Sequence, residues 1–270
     1  MYEDLIGKRV LVTGASGGLG AAIAKAFGGQ GCRVLVHYRT REQGADQTVR
    51  AIQQAGGSAL QYPADLRSEK AIEKLVNFII ETWNGIDVLV NNAGIVLKAS
   101  VLDAGAVYWD DSLNVNLRAP YLLSRQVANQ MIKEGIEGVI LNNSSIHATK
   151  SVQYFSAYAA SKAGLEAMSR VMALEWAPYN IRVNCIAPGV VPIERTQETL
   201  QAQKDNWMPH IPAGRFGRPQ DIAEMAVYLC SKTADWITGQ SFVVDGGMLA
   251  RMDMPRRPQP PLPPLPDPIT

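Results

Sequence analysis

The sequence predicts an α/β fold in which a parallel sheet is covered by helices on both faces. Three observations predict it. Short β-branched runs alternate with helical stretches of about ten residues or more, the rhythm of strand–helix–strand units. The runs are continuously apolar, as strands buried on both faces are. The first of them ends in a glycine-rich turn that leads straight into a helical pattern, Gly14 to Gly20.

Arg9 to Thr13 is the first strand, because Val10, Leu11 and Val12 run without interruption up to Gly14. Leu19 to Phe27 has an alanine-rich helical pattern. Arg33 to Tyr38 (R-V-L-V-H-Y) is the second strand, and Glu42 to Ala55 a helix closed by the breaker pair Gly56-Gly57. Ala59 to Tyr62 makes a short third strand. From Glu69 to Trp83, Ile72, Leu75, Val76, Ile79, Ile80 and Trp83 follow the period of an amphipathic helix. Asp87 to Val90 and Val139 to Asn142 are the fourth and fifth strands, with a long helix over about Trp109 to Lys133 between them. The helix bearing Tyr158 ends near Trp176, before Pro178. Ile181 to Ile186 is the sixth strand, Asp221 to Cys230 a helix, and Ser241 to Val244 the seventh strand. Beyond this alternation no internal repeat is visible.

Two segments stand outside the rhythm. Residues 188–219 lack a clear period and carry Trp207, Met208 and Phe216 among several prolines, which points to a lid or binding loop. From Arg251 the chain becomes proline-rich (P-R-R-P-Q-P-P-L-P-P-L-P-D-P), a composition that favours extended polyproline conformation over helix or sheet. Residues 251–270 are read as a tail: a flexible end, an arm on a neighbouring subunit, or a PxxP-type ligand. Residues 1–250 are read as one catalytic domain.

With 270 residues the chain is long enough for one large core. The net charge of +1 gives no electrostatic case for nucleic acid or an anionic membrane. Cys32, Cys185 and Cys230 are scattered and odd in number, with no Cys/His cluster, so neither a disulfide framework nor a metal site is expected. The first strand begins within ten residues of Met1, leaving no room for a signal peptide, and no apolar run approaches the length of a membrane span. The expected home is the cytoplasm.

The chemistry centres on Ser156 to Gly164, S-A-Y-A-A-S-K-A-G. Tyr158 and Lys162 are one helical turn apart, so the phenol and the ammonium share a face. A fixed cation beside the phenol favours the phenolate and is expected to draw the pKa down toward the working range.

Thr13 to Gly20, T-G-A-S-G-G-L-G, sits at a strand–helix junction. Glycines there allow a sharp turn and let a pyrophosphate approach the helix N-terminus, whose free N–H groups favour anions. Gly14, Ser16, Gly17, Gly18, Leu19 and Gly20 are the expected phosphate-binding residues. Asp65-Leu66 and Asn92-Ala93-Gly94 follow the third and fourth strands on the same side of the sheet. Asp65 can accept from an adenine amino group, while Asn91 and Asn92 are read as part of the site, with local turn-forming as the alternative. At the end of the second strand, Tyr38-Arg39-Thr40-Arg41 offers guanidinium groups where an acid would serve the hydroxyls of NAD. This favours NADP through Arg39, with Tyr38 over the adenine and NAD still accepted.

Taken together these motifs resemble the short-chain dehydrogenase/reductase family over about residues 6–249: T-G-x-x-x-G-x-G, N-N-A-G at Asn91 to Gly94, Asn116, Ser145, Y-x-x-x-K, and Pro188-Gly189. The H-Y-R turn, Ser144 to His147, Phe155 to Gly164 and Asp245 to Met248 are most similar to the bacterial glucose 1-dehydrogenase branch. The resemblance implies a doubly wound, single-domain Rossmann fold with a seven-stranded sheet, assembled as a homotetramer. It implies Tyr158 as acid/base, Lys162 on the nicotinamide ribose, Ser145 orienting the substrate oxygen and Asn116 holding a relay water. It also implies Pro188, Gly189 and Val191 near the nicotinamide. The run Val190 to Thr196 departs from the family, which places a threonine earlier, and so leaves the substrate open. His147 either hydrogen-bonds substrate or is structural; Trp207 is the other pocket candidate. The leading expectation is an NADP-preferring dehydrogenase of an aldose or polyol. A ketone or 3-oxoacyl-thioester reductase, with Arg195, Arg215 and Arg218 as a basic patch for a carrier protein, is the alternative. An inactive binding protein of the same fold would have lost the tyrosine, lysine or serine, all present here.

Overall fold

The computed structural model describes residues 2–251. The tail reading therefore falls on residues 252–270, outside the described residues, apart from Arg251. Seven parallel strands form one sheet: β1 (Arg9–Val12), β2 (Arg33–Tyr38), β3 (Ser58–Pro63), β4 (Val88–Asn91), β5 (Val139–Asn143), β6 (Arg182–Pro188) and β7 (Ser241–Val244). Their order is β3-β2-β1-β4-β5-β6-β7, so the direction of winding reverses between β1 and β4. Parallel neighbours need crossovers, and the helices supply them.

Side chains alternate across each strand, which divides the core in two. Val10 and Val12 of β1, with Val34 and Val36 of β2, face one layer. There they meet α1 (Gly18–Gly29) through Ile23 and Phe27, α2 (Glu42–Gln54) through Ile52, and α9 (Pro219–Cys230) through Ile222 and Val227. Leu11, Leu35 and Leu89 face the other layer. It contains Ile72, Leu75 and Ile79 of α3 (Glu69–Trp83), Leu123 and Val127 of α5 (Ala119–Lys133), and Met172 of α6 (Ser156–Trp176). Ser68 caps α3 by accepting from Ala71 N–H at 3.3 Å, and Asn84 closes it in the left-handed region at φ 57°.

Two stretches differ from the sequence reading. The single long helix expected between β4 and β5 starts earlier and is interrupted: α4 (Ala106–Leu113), a π-turn at Asn114–Arg118, then α5. The polar side chain of Asn116 finds its partners only by turning inward there. The 188–219 segment is not without regular structure, since it folds into the short helices α7 (Gln197–Ala202) and α8 (Lys204–Trp207). Cys32, Cys185 and Cys230 are free and buried, with burial pushing their thiols up to about 11 or 12. Among the described residues no helix is long and apolar enough to cross a membrane.

Candidate active site

The crevice at the β1/β4 reversal is built around backbone. Gly14 takes φ 63°, and a Cβ on it would lie 2.9 Å from Ala93 Cα, so only glycine lets these turns touch. A Cβ on Gly20 would strike the Gly14 carbonyl and the Asn92 amide. Thr13 Oγ1 accepts from the backbone N–H groups of Asn92 at 2.9 Å and Ala93 at 3.0 Å. Asn92 Nδ2 donates back to the Thr13 carbonyl at 2.9 Å and the Gly14 carbonyl at 3.2 Å, and its Oδ1 accepts from Asn143 Nδ2 at 2.9 Å. Its side chain is therefore a strut for the turn, the second of the two sequence readings. His37 braces the other side. Its Nδ1 accepts from Gly14 N–H at 3.0 Å and its Nε2 meets the Ala64 carbonyl at 3.0 Å. Burial lowers this imidazole to about 4, so it is neutral and its partners fix one tautomer.

Helix α1 opens at Gly18 after Gly17, a residue with no side chain of its own to cap the helix. This is an anion-binding helix head, and an anion lies on it: Gly18 N–H donates to both carboxylate oxygens of Glu194, at 3.0 and 3.2 Å. The donor set and the missing Cβ atoms fit a pyrophosphate, for which the carboxylate stands in. Beside it, Arg41 Nη1 would lie 3.0 Å from a Cβ on Gly17, so this guanidinium rests on the glycine turn. Arg39, the residue singled out from the sequence, is exposed and acts electrostatically on Asp65 instead. The cation at the turn is thus Arg41, because residue 41 directly precedes α2, whose Gly44 lies against the Ser16 carbonyl.

The adenine side is only partly as expected. Both Asp65 oxygens are held by Arg67, at 2.6 to 3.1 Å, and this pairing holds the carboxyl below its ordinary range. Leu66 is buried, which leaves its main chain rather than its side chain for a ligand. Tyr38 is 7% exposed and packed with the core, and burial and then the nearby Glu42 charge hold its phenol above the ordinary value, so its ring offers little face to an adenine.

Across the crevice, α6 carries Tyr158 and Lys162 one turn apart, as the spacing predicts. Lys162 Nζ donates to the Asn143 carbonyl at 2.6 Å and lies 5.8 Å from the Tyr158 ring centre. Ser145 is buried just beyond β5, where its Oγ accepts from His147 N–H at 3.2 Å and its side chain favours the Tyr158 phenolate. Asn116 is fully buried: its Oδ1 accepts from Ile95 N–H at 2.9 Å, and its Nδ2 donates to the Ile95 carbonyl at 2.9 Å and Ser161 Oγ at 3.2 Å. A Cβ on Gly94 would lie 3.3 Å from Asn116 Oδ1 and 3.8 Å from Lys162 Nζ, so the missing side chain at Gly94 leaves room for both groups.

The electrostatics correct one expectation. Burial pushes the Tyr158 phenol above its ordinary value; the opposing contributions come from the Ser145 side chain and the charge of Arg195, not from Lys162. Lys162 is turned to the Asn143 carbonyl, and its own burial draws it from 10.5 down to about 8. A cation with a depressed pKa destabilises the fold while it is charged. In the unfolded chain the amine stays protonated up to about 10.5. The cost of up to about 3 kcal/mol is present below pH 8 and disappears as pH rises through 8 to 10.5. Lys162→Met is therefore expected to melt higher than the parent at neutral pH, with the gap closing across that window. A gap that is independent of pH would show that the ammonium is not the source.

On the substrate side, His147 stacks on Phe155 at 4.9 Å and meets Tyr158 edge-on at 5.8 Å. Its Nδ1 is buried without a hydrogen-bond partner, and burial lowers its pKa. Pro188-Gly189 is pinned to β7: Gly189 N–H donates to the Val244 carbonyl at 3.0 Å, and a Cβ on it would lie 2.7 Å from Asp245. Val191 packs on the α1 layer. Thr196 caps its own turn, its Oγ1 accepting from Ile193 N–H at 3.1 Å. Trp207 is half-buried at the end of α8 and makes no ring contact among the described residues. Arg215 and Arg218 both pair with Asp221, which removes them from the expected basic patch. Glu194 and His37 went unnoticed in the sequence, where nothing but their place beside the motifs could have marked them.

A separate cavity of about 570 Å³ opens at the opposite, N-terminal end of the strands, between Lys8, Asp87, Arg182 and Trp236. No group of His, Cys, Asp and Glu side chains suited to a metal ion occurs among the described residues.

Comparison with known proteins agrees with this geometry. The family model described as enoyl-(acyl carrier protein) reductase matches residues 14–249. The chain is 40% identical over 250 residues to the 3beta-hydroxysteroid dehydrogenase 1 of Eggerthella lenta, covering 92% of this chain and 96% of that one. It is 36% identical to the glucose 1-dehydrogenase 2 of Bacillus subtilis, covering 92% and 97%. It also superimposes, with a TM-score of 0.85, on a crystal structure from Agrobacterium tumefaciens described as a candidate 2-deoxy-D-gluconate 3-dehydrogenase with bound NADP. That protein is 34% identical, and the match covers 92% of this chain and 98% of that chain.

Proposed function

Because the chain belongs to the short-chain dehydrogenase/reductase family, we propose that it is an NADP-preferring oxidoreductase acting on the secondary alcohol or hemiacetal of a sugar or polyol, in the manner of an aldose 1-dehydrogenase. The observation that carries this reading is Tyr158 one helical turn from buried Lys162, whose Nζ lies 5.8 Å from the phenol ring centre, with the buried Ser145 side chain favouring the phenolate, across the crevice from the glycine turn. An alcohol C–H departs as hydride only while its O–H proton is taken, and Tyr158 is the base within reach. Ser145 hydrogen-bonds the same oxygen and fixes its position, and anchoring the base on a helix keeps that geometry. In reduction Tyr158 returns the proton. Lys162 keeps positive charge under the reacting groups at neutral pH, and Asn116 locks the Ile95 wall. The nicotinamide coenzyme supplies the hydride acceptor or donor. Gly14, Gly17, Gly18 and Gly20 would hold its pyrophosphate, Arg41 the NADP phosphate, and Pro188, Gly189 and Val191 the nicotinamide end.

Arg41 on the glycine turn supports NADP, as does the NADP in the Agrobacterium tumefaciens structure. Glu42, near the end of β2, leaves an acceptor for the hydroxyls of NAD. The Bacillus subtilis relative supports an aldose. A ketone or acyl-thioester reductase is the second reading. Arg195 favours it, being the one cation of the expected patch whose charge reaches Tyr158. Exposed Tyr121 and Trp109 along α4–α5, Leu174 on α6 and the open edge at β7 support a homotetramer. Unpaired buried thiols are compatible with a cytoplasmic protein over residues 1–250.

The test is a panel of aldoses, polyols, sugar acids, hydroxysteroids and ketones with each coenzyme, followed by the near-ultraviolet absorbance of reduced nicotinamide. Fastest turnover is expected with an aldose and NADP. Turnover confined to ketones or thioesters would move the assignment to the second reading.

A further inference from the structure

We propose that Glu194 is a built-in competitor of the coenzyme: its carboxylate takes the pyrophosphate place at the head of α1, and the Ile193–Thr196 turn must swing aside before coenzyme binds. This rests on the glycine turn being the coenzyme site. The N-terminal N–H groups of a helix favour negative charge, and a donor holding one anion is not free for another. Glu194 engages Gly18 N–H with both oxygens, at 3.0 and 3.2 Å. The contact is reinforced by Ile193, whose Cδ1 and Cγ2 would lie 3.3 Å from a Cβ on Gly18, so the side chain covers the glycine.

The turn that presents Glu194 is braced by its own hydrogen bonds. Thr196 and Gln197 N–H groups donate to the Ile193 carbonyl, each at 2.8 Å, and Thr196 Oγ1 accepts from Ile193 N–H at 3.1 Å. Its approach is fixed further back, where Gly189 is tied to Val244 and Gly217 N–H donates to the Val190 carbonyl at 3.0 Å. Movement is thereby confined to the stretch beyond Val191, which carries α7 and α8. A pyrophosphate oxygen and the Glu194 carboxylate would share one donor and repel each other. The carboxylate therefore weakens coenzyme binding both by occupying the donor and by its charge. The same loop carries Arg195, whose charge reaches Tyr158, so its position is set in part by what lies on Gly18.

Glu194→Ala and Glu194→Gln both alter an exposed side chain, so folding is retained. NADPH binding is measured by titration calorimetry, and exchange of the Gly18 amide is measured in protein without added coenzyme. The alanine variant is expected to bind NADPH about two- to fivefold tighter, the worth of one exposed carboxylate at a helix head. Glutamine should give a smaller gain, because its amide oxygen still accepts from Gly18. Added salt should narrow both gains, and Gly18 should exchange faster in the alanine variant. Equal or weaker NADPH binding in both variants, or unchanged Gly18 exchange, would overturn the proposal. A parent protein that binds neither NADPH nor NADH would overturn the dinucleotide reading itself and the competitor with it. That outcome is distinguishable because it appears before any substitution is made.

Discussion

Tyr158→Phe is expected to cut turnover by roughly 10²- to 10⁴-fold, the usual contribution of a positioned acid/base. The ring is kept, so the edge contact with His147 at 5.8 Å and the packing on Phe155 survive, and only the hydroxyl is lost. Coenzyme affinity should barely change, since the glycine turn lies on the other wall of the crevice. Burial keeps the free phenol above its ordinary value, so oxidation by the parent should still be rising with pH on the alkaline side of neutrality. Turnover and coenzyme affinity are measured on the same preparations. A variant that retains more than about half the parent turnover would exclude Tyr158 as the proton acceptor.

Arg41→Ala should lower kcat/KM with NADP by about tenfold and leave NAD nearly unaffected. A charge-assisted hydrogen bond contributes about 1.5 to 3 kcal/mol, and exposure places this one toward the lower end. Arg39→Ala should do less, because the charge of Arg39 acts on Asp65 while Arg41 lies against Gly17. Aspartate at position 41 should go further, repelling the phosphate while offering an acceptor to free ribose hydroxyls. All four proteins are compared at one ionic strength, since salt screens exposed charge. Equal losses with both coenzymes would assign Arg41 to the shape of the turn. A larger NADP-selective loss in Arg39→Ala would restore the role to Arg39.

The fold was legible because buried parallel strands leave a simple trace. β2, α3 and β7 fall where the apolar runs and the helical period place them, and the other boundaries move by a few residues. The Tyr158–Lys162 pair was legible for the same reason, since helical spacing alone puts them together. What sequence spacing does not carry is direction. Whether Lys162 points at the phenol or at the Asn143 carbonyl depends on β5, and the choice between Arg39 and Arg41 depends on how α2 meets Ser16. Asn92 reads as a site residue with a turn-former as its alternative, and only the carbonyls of Thr13 and Gly14 decide for the turn. The interruption at Asn114–Arg118 was hidden because N-V-N-L-R contains no glycine or proline to mark a break.

That interruption gives the stretch an unusual sensitivity to length. An α-helix advances about 100° per residue, and a π-turn holds one residue more than a regular turn. Everything after Arg118 is therefore out of phase with what an unbroken helix from Ala106 would present. Leu123 and Val127 still reach the core, while Asn116 still reaches Ile95. Removing a single residue between Ala106 and Arg118 would allow the backbone to revert to regular winding. One of those two alignments would then be lost, even though every remaining side chain was unchanged. This segment should accept exchanges of exposed residues such as Val107 far more readily than a one-codon deletion, so a frame-preserving deletion is the lesion to which the catalytic wall is most vulnerable.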